Sequence, residues 1–124
     1  MKYVSIGEAS ATYHIPESTL RYYEKQGLLP LMERDAAGRR LFSEMQMALL
    51  ETVLRLKQTH MPIHDIRKYI AWVIEGESTT ELRLGMMTKH KQAVLDEIAS
   101  MTEALQGIDV KITRYTERLQ KNRS

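Results

Sequence analysis

The last third of the chain carries an apolar stripe that a small globular domain cannot bury. From residue 84 onward, apolar side chains recur in alternating steps of three and four over five heptads, with Lys91 as one polar interruption. At about 1.5 Å per residue, a helix over 78–119 is roughly 60 Å long. The predicted interface consists of Leu84, Met87, Val94, Ile98, Met101, Leu105, Ile108, Ile112, Tyr115 and Leu119.

This stripe predicts a second chain. Burying a leucine-sized side chain is worth about 1.5–3 kcal/mol, so leaving the stripe in water would leave a large free energy unused. One long helix per chain favours a two-fold homodimer. The spacing leaves the direction of the paired helices open. It also leaves open a hairpin within one chain that turns at Gly107, although the heptad phase runs through that glycine.

Composition excludes several classes of protein. The chain has 124 residues and no cysteine, which excludes disulfides and thiolate chemistry and suits a cytoplasmic protein. No apolar run approaches the roughly 18 residues of a membrane span. Net charge is only +2, so an interface with nucleic acid must depend on where the cations are placed.

Residues 5–29 predict two short helices with a tight connection. Ser5 and Glu8 form a capping box for the first helix. Pro16 stands where the second can begin, and Gly27 is placed to end it in a left-handed conformation. This arrangement is typical of a helix-turn-helix.

Residues 30–42 break the helical pattern and predict a small β-hairpin whose turn contains Gly38. Two further helices follow, one opened by a capping box of Ser43 and Gln46, the other running from Pro62 to Gly76. A third box, Ser78 and Glu81, opens the long helix. We therefore expect a mainly α fold, with a winged helix-turn-helix over residues 1–76 and a coiled-coil dimerisation helix over 77–124.

Catalytic and metal sites find little support. The chain has no glycine-rich phosphate loop and no serine elbow. His60 and His64 are four apart, but Pro62 between them spoils the helical spacing that a metal would need. We expect no enzyme activity, no metal and no cofactor.

Nucleic-acid binding fits the cations better. The second helix of a helix-turn-helix enters the major groove, where arginine binds guanine or phosphate and tyrosine binds phosphate. Arg21, Tyr22 and Lys25 spread over its outer arc, while Leu20 and Tyr23 turn inward. The hairpin arginines would follow the flanking backbone as a wing, unless these side chains only pack a core or are solvated. The predicted DNA-binding set is Ser18, Thr19, Arg21, Tyr22, Tyr23, Lys25, Arg34, Arg39 and Arg40.

The stretch STLRYYEKQGLL, with GRRLFSE and PIHDIRKYI after it, resembles the mercury-resistance-regulator (MerR) family of bacterial transcription factors. The end of the chain, with KITRYTERL, resembles the short-tailed members that finish in a dimerisation helix. The resemblance implies an antiparallel coiled-coil homodimer on a pseudo-palindromic operator, in a promoter with an overlong spacer that the protein distorts for RNA polymerase. It also implies that Arg21 and Tyr22 contact the operator, that Tyr23 lies at the helix–backbone boundary, and that Arg34 and Arg40 serve the wing.

The chain departs from the family pattern in places. His14 replaces the usual turn glycine, and Pro16 replaces the usual serine cap. Arg39 replaces an aromatic or apolar wing residue. The cysteines of metal-sensing and thiol-sensing members are missing, so any effector is a small molecule sensed without thiols. We expect its pocket near Tyr69, Trp72, Met86 and Met87, unless these four are interface core.

Two other functions remain open on the sequence. A coiled-coil adaptor would bind another protein through the long helix and use the head only as a cap. A DNA-architectural protein of the excisionase type would share the head, but it would not need so long a dimerisation helix. Steep salt dependence on heparin favours DNA binding over the adaptor.

Overall fold

The structure is a computed structural model that describes residues 2–123, and it is mainly helical, as predicted. In chain order its elements are α1 (Ile6–Tyr13), α2 (Glu17–Lys25), β1 (Glu33–Arg34), β2 (Arg40–Leu41), α3 (Glu44–Gln58), α4 (Ile63–Glu75), a 3-10 turn (Glu77–Thr79) and α5 (Thr80–Arg123). By packing, the chain divides into two units, Met1–Leu84 and Gly85–Ser124. The predicted functional boundary between residues 76 and 77 stays a prediction.

A small core organises the first unit. Leu20 of α2 is fully buried, as predicted, and Tyr23 is 7% exposed. The other apolar side chains with at most 1% exposure are Ala9, Leu28, Leu29, Phe42, Leu50, Val53, Ile66 and Ile70. They come from every helix before α5, so the core fixes α2 against its neighbours.

The helix starts follow local capping chemistry, with one correction. The box at Ser5 is confirmed, since Glu8 N donates to Ser5 Oγ over 3.1 Å and Ser5 N to Glu8 Oε1 over 3.3 Å. Ser43 caps α3 by accepting from Gln46 N, but the predicted reciprocal bond is wrong. Gln46 is buried, and its Nε2 donates to the Pro30 carbonyl over 2.6 Å. Its amide therefore holds the loop after α2.

A residue with a left-handed backbone conformation follows each of α1 and α2. His14, between α1 and α2, has φ 55° and ψ 44°, so the position of the family's turn glycine keeps its backbone geometry with a side chain present. Gly27 has φ 77°, as predicted. Leu28 N donates to Tyr23 O over 2.9 Å and Gly27 N to Glu24 O over 3.1 Å, which is the Schellman pattern of a helix end.

The predicted hairpin is confirmed. β1 pairs antiparallel with β2 in the register Glu33 to Leu41 and Arg34 to Arg40, and Gly38 in the turn has φ 81°. A further bridge joins Val4 to Phe42 through two backbone hydrogen bonds of 2.9 and 2.8 Å. The wing, residues 33–41, is thus connected at its base to the start of the chain.

The long helix is confirmed and has 44 residues. It starts after a 3-10 turn that contains Ser78, and it continues through Gly107, which excludes the hairpin alternative. No residue of α5 is buried, and stripe residues such as Met101 and Ile112 are 71% and 57% exposed. Among residues 2–123, no helix combines the length and apolar character needed to cross a membrane.

Candidate nucleic-acid interface

The outer face of α2 presents the predicted polar side chains. Arg21, Tyr22 and Lys25 are exposed, with Tyr22 at 49%. At the start of the helix, Ser18 is exposed and Thr19 is half-buried. This face therefore combines two cations with a phenol and hydroxyls, which are the groups that bind phosphates and base edges.

Tyr23 belongs to the core more than to this face. Burial, and then the neighbouring Tyr22, raise the pKa of Tyr23 above its ordinary value of 10.0. The two rings lie 6.3 Å apart at 52°. The inward turn of Tyr23 is confirmed, and a contact between its hydroxyl and DNA stays a prediction.

Arg21 has a weak partner within the helix. Its guanidinium lies 3.2 Å from Glu17 Oε1, and the two side chains are 51% and 44% exposed. An exposed pair of this spacing is worth only about 0.3–0.5 kcal/mol. A phosphate or a guanine can therefore displace Glu17 from Arg21 at small cost.

Glu24 joins the wing to α2, and the sequence reasoning missed it. Arg34 lies 3.1 Å from Glu24 Oε2, and Arg40 Nε lies 2.5 Å from Glu24 Oε1. Arg34 also donates to the Gly38 carbonyl over 3.0 Å, across the hairpin. The two wing arginines therefore have a structural role whether or not they also meet phosphate. The signal that could have revealed it is a second carboxylate, besides Glu17, on the helix that carries Arg21 and Lys25.

Asp35 shapes the tip of the wing. Its Oδ1 accepts from Ala37 N and Arg39 N, each over 2.9 Å, and its Oδ2 accepts from Arg39 Nε over 3.0 Å. The bond from the Arg39 backbone is the main cause that lowers the pKa of Asp35, against the opposing effect of desolvation. The side chain of Arg39 is 80% exposed, so its charge stays open to a phosphate at the wing tip.

Arg67 of α4 holds the other side of α2 and was also missed. Its Nε donates to the Gln26 carbonyl over 2.7 Å, and its terminal nitrogen donates to Gln26 Oε1 over 3.1 Å. A cation at this position complements the negative end of the helix dipole. Glu24 and Arg67 together fix α2 between the wing and α4.

The other predicted residues lie elsewhere. Among residues 2–123, no group of three or more metal-binding side chains comes together. Tyr69 and Trp72 on α4 and Met86 and Met87 on α5 are each half-buried. Lys68 Nζ lies 5.3 Å from the Trp72 ring centre, a cation–π distance. The effector pocket stays a prediction.

Comparison with known proteins decides the family. The model of the MerR HTH family regulatory proteins matches residues 4–71, which form the helix-turn-helix, the wing and most of α4. The chain belongs to the MerR family. The winged helix-turn-helix expected from the resemblance is thereby confirmed, together with the role of a DNA-binding transcriptional regulator, whereas the antiparallel coiled-coil dimer stays a prediction.

MerR-family relatives match over most of their length. An HTH-type transcriptional regulator of Haemophilus influenzae is 32% identical over 87% of this chain and 80% of that protein. A MerR-family regulator from Bacillus thuringiensis superposes with TM-score 0.85 at 39% identity, covering 91% of this chain and 99% of that one. HiNmlR, a MerR-family regulator lacking the sensor domain and solved bound to promoter DNA, gives TM-score 0.86 at 30% identity, over 94% and 92% of the two chains.

Proposed function

We propose that this MerR-family regulator acts as a homodimer paired through α5. The observation that carries the proposal is a 44-residue helix without one buried residue, which carries a heptad stripe of exposed apolar side chains. Such a stripe is stable in water only against a matching surface. A second copy of the same helix provides such a surface, with Lys91 as the one polar interruption.

The spacing is compatible with the antiparallel register that the resemblance to the family implies. If the two-fold axis passes midway between residues 99 and 100, Ile98 lies opposite the other copy's residue 101, Val94 opposite 105, and Met87 opposite 112. Each apolar stripe position from 84 to 115 then faces another stripe position, and Lys91 faces Ile108. An antiparallel coiled coil can therefore bury the stripe, and the direction of the helices is decided by the cross-linking test below.

The proposed dimer binds a pseudo-palindromic operator through two copies of the α2 face and the wing. Arg21, Tyr22 and Lys25 supply the contacts from α2, together with Ser18 and Thr19. Arg39 supplies the charge at the wing tip, and Arg34 and Arg40 hold the wing in place through Glu24. One of the solved relatives was crystallised bound to promoter DNA, which supports DNA as the partner.

The proposed regulatory step is distortion of an overlong promoter spacer so that RNA polymerase engages both promoter elements. Bending a short site by tens of degrees requires on the order of 1–6 kcal/mol. The attachment of α2 to both the wing and α4 supports this role. A mobile α2 would shift its own position on the DNA, so the DNA would not be forced to bend. Footprinting with polymerase on a promoter with its natural spacer, and on one shortened by two base pairs, tests this step.

The effector proposal rests on Trp72, the single tryptophan of the chain. A planar apolar ligand that stacks on this ring displaces Lys68 from it and changes the tryptophan fluorescence. Titrating inducing compounds into the parent and into Lys68→Met checks this. If no inducing compound changes the emission of Trp72, the pocket is wrongly placed.

Thiol cross-linking tests the dimer sharply, because the chain has no cysteine. We expect Val94→Cys and Leu105→Cys chains, mixed and treated with a short bifunctional maleimide, to give a cross-linked heterodimer. In the antiparallel register, neither variant alone cross-links efficiently. Self-cross-linking of each variant would show a parallel dimer, and single chains in sedimentation with DNA present would overturn the proposal.

A further inference from the structure

The connection from α4 to α5 changes direction within a few residues. α4 ends at Glu75 and is followed by Gly76, whose φ of 105° and ψ of −155° lie in a region confined almost entirely to glycine. A 3-10 turn over Glu77–Thr79 follows, and α5 begins at Thr80. The junction thus contains one residue in a conformation that favours glycine, and only residues 77–79 separate this residue from α5.

Thr79 stands at the centre of the junction. It is 3% exposed, although it is polar. Its Oγ1 lies 2.6 Å from the Trp72 carbonyl and 2.7 Å from the Gly76 carbonyl. Both carbonyls also accept from the backbone, Trp72 O from Gly76 N over 3.1 Å and Gly76 O from Thr79 N over 3.0 Å. The hydroxyl of Thr79 therefore adds a further hydrogen bond, to one of the two carbonyls at a time, at the end of α4.

Arg83 closes the junction from the first turn of α5. Its Nε donates to Thr79 Oγ1 over 3.1 Å, and its terminal nitrogen donates to the Gly76 carbonyl over 3.2 Å and to Thr80 Oγ1 over 3.1 Å. The guanidinium lies at the C-terminal end of α4, where the helix dipole favours a cation. One side chain of α5 is therefore bound to the carbonyl of Gly76, the residue that directly follows α4.

We infer that Thr79 and Arg83 are positioning residues that set which separation of operator half-sites the dimer accepts. The inference rests on the proposed dimer, because residues 77–79 are the covalent path from each DNA-binding head to the shared helix. Two heads on loose connections bind half-sites at several separations. Two heads on stiff connections bind at one separation, since reading helices must meet successive grooves on the same side of the duplex.

Distances between the two wings test the stiffness directly. Ala36→Cys places one nitroxide label at the exposed wing tip of each protomer, and pulsed EPR then gives the distribution of label–label distances in the dimer. Thr79→Val keeps the shape of the side chain and removes its hydroxyl. Thr102→Val is the matched control, since Thr102 of α5 is exposed and its hydroxyl only bonds the Ile98 carbonyl over 2.8 Å.

We expect Thr79→Val to broaden the distribution and Thr102→Val to leave it unchanged. Arg83→Gln provides a second route, because Arg83 is half-buried and its loss does not open the core. If Thr79→Val unfolds the head, Arg83→Gln alone decides. Distributions as narrow as that of the labelled parent in every folded junction variant would overturn the inference.

Binding to DNA tests the functional consequence. The probe is a duplex that the parent protein selects from a randomised pool, together with versions that have one base pair inserted or removed at the two-fold centre. One base pair rotates the half-sites by about 35°. We expect the parent to bind the altered duplexes about tenfold more weakly, and Thr79→Val and Arg83→Gln to discriminate by less than about threefold.

The outcomes separate the two proposals. A parent that is monomeric, or that selects no duplex, refutes the proposed function. A dimeric parent with a sharp preference for one spacing, matched by equally sharp junction variants, refutes the positioning role and leaves the proposed function standing.

Discussion

Arg40 of the wing and Glu24 of α2 form an ion pair, with 2.5 Å between Nε and Oε1. Both side chains are mostly shielded, at 22% and 23% exposure, and Arg34 binds the second oxygen of the same carboxylate. The wing is therefore attached to the reading helix by one acidic residue. An acidic side chain beside DNA ordinarily weakens binding, because it repels the phosphates. Glu24 is expected to strengthen binding, because it holds the wing.

Glu24→Gln is expected to weaken DNA binding, by about 1 kcal/mol, because a partly shielded pair is lost and the wing loosens. A purely electrostatic effect has the opposite sign, since removing a negative charge near DNA strengthens binding. Fluorescence anisotropy on the selected duplex at several salt concentrations measures both the affinity and its dependence on salt.

Arg40→Met is expected to weaken binding with an unchanged salt slope, because Arg40 is paired with Glu24. A lost phosphate contact would instead reduce the slope by about one.

Arg21→Ala is expected to weaken operator binding by roughly 1–3 kcal/mol while leaving stability nearly unchanged. The matched control is Arg55→Ala on α3, since Arg55 forms the same type of exposed pair, 2.8 Å from Glu51. Anisotropy and urea unfolding of both variants separate recognition from folding. Equal DNA affinities for the two variants would mean that the face of α2 is wrongly assigned.

Arg67→Ala is expected to lower the free energy of unfolding by about 1 kcal/mol, because the end of α2 loses a charged donor. Arg67→Lys keeps the charge but cannot reach the Gln26 carbonyl and Oε1 together, so it should recover only part of the loss. Urea denaturation followed by circular dichroism gives the comparison. Full recovery by lysine would show that charge alone matters here.

The raised pKa of Tyr23 predicts a loss of stability in alkali. The folded state favours the neutral phenol, so this contribution is complete below pH 10.0, the ordinary pKa, and disappears as the pH rises through the higher folded value. Thermal unfolding is measured between about pH 8 and 11, around the pKa of tyrosine. The unfolding temperature of Tyr23→Phe should fall less steeply with rising pH than that of the parent. Tyr115→Phe, which removes a hydroxyl from α5, serves as the control.

Sequence patterns predicted the elements because each has a local cause. Ser5, Gly27 and Gly38 act within a few residues of their own position, and the heptad stripe of α5 is periodic by itself. The exposed face of α2 was predicted from the positions of its own polar and apolar residues around the helix. These features need no knowledge of what packs against them.

The contacts that hold the site together could not be predicted in this way. Glu24 meets arginines ten and sixteen residues later, and Arg67 reaches Gln26 across 41 residues. Gln46 looked like half of a capping box, yet the nearby Pro30 carbonyl took its amide. Partners distant in sequence compete with local chemistry, and only the folded chain shows which of them prevails.

The bridge between Val4 and Phe42, with Tyr3 Oη donating to Glu33 Oε1 over 3.1 Å, connects the first residues of the chain to the wing. A purification tag or fluorescent protein fused directly ahead of Tyr3 is therefore expected to disturb these contacts and the position of the wing. Reporter fusions belong at the other terminus, and binding constants obtained with amino-terminal fusions will describe the fusion rather than the regulator.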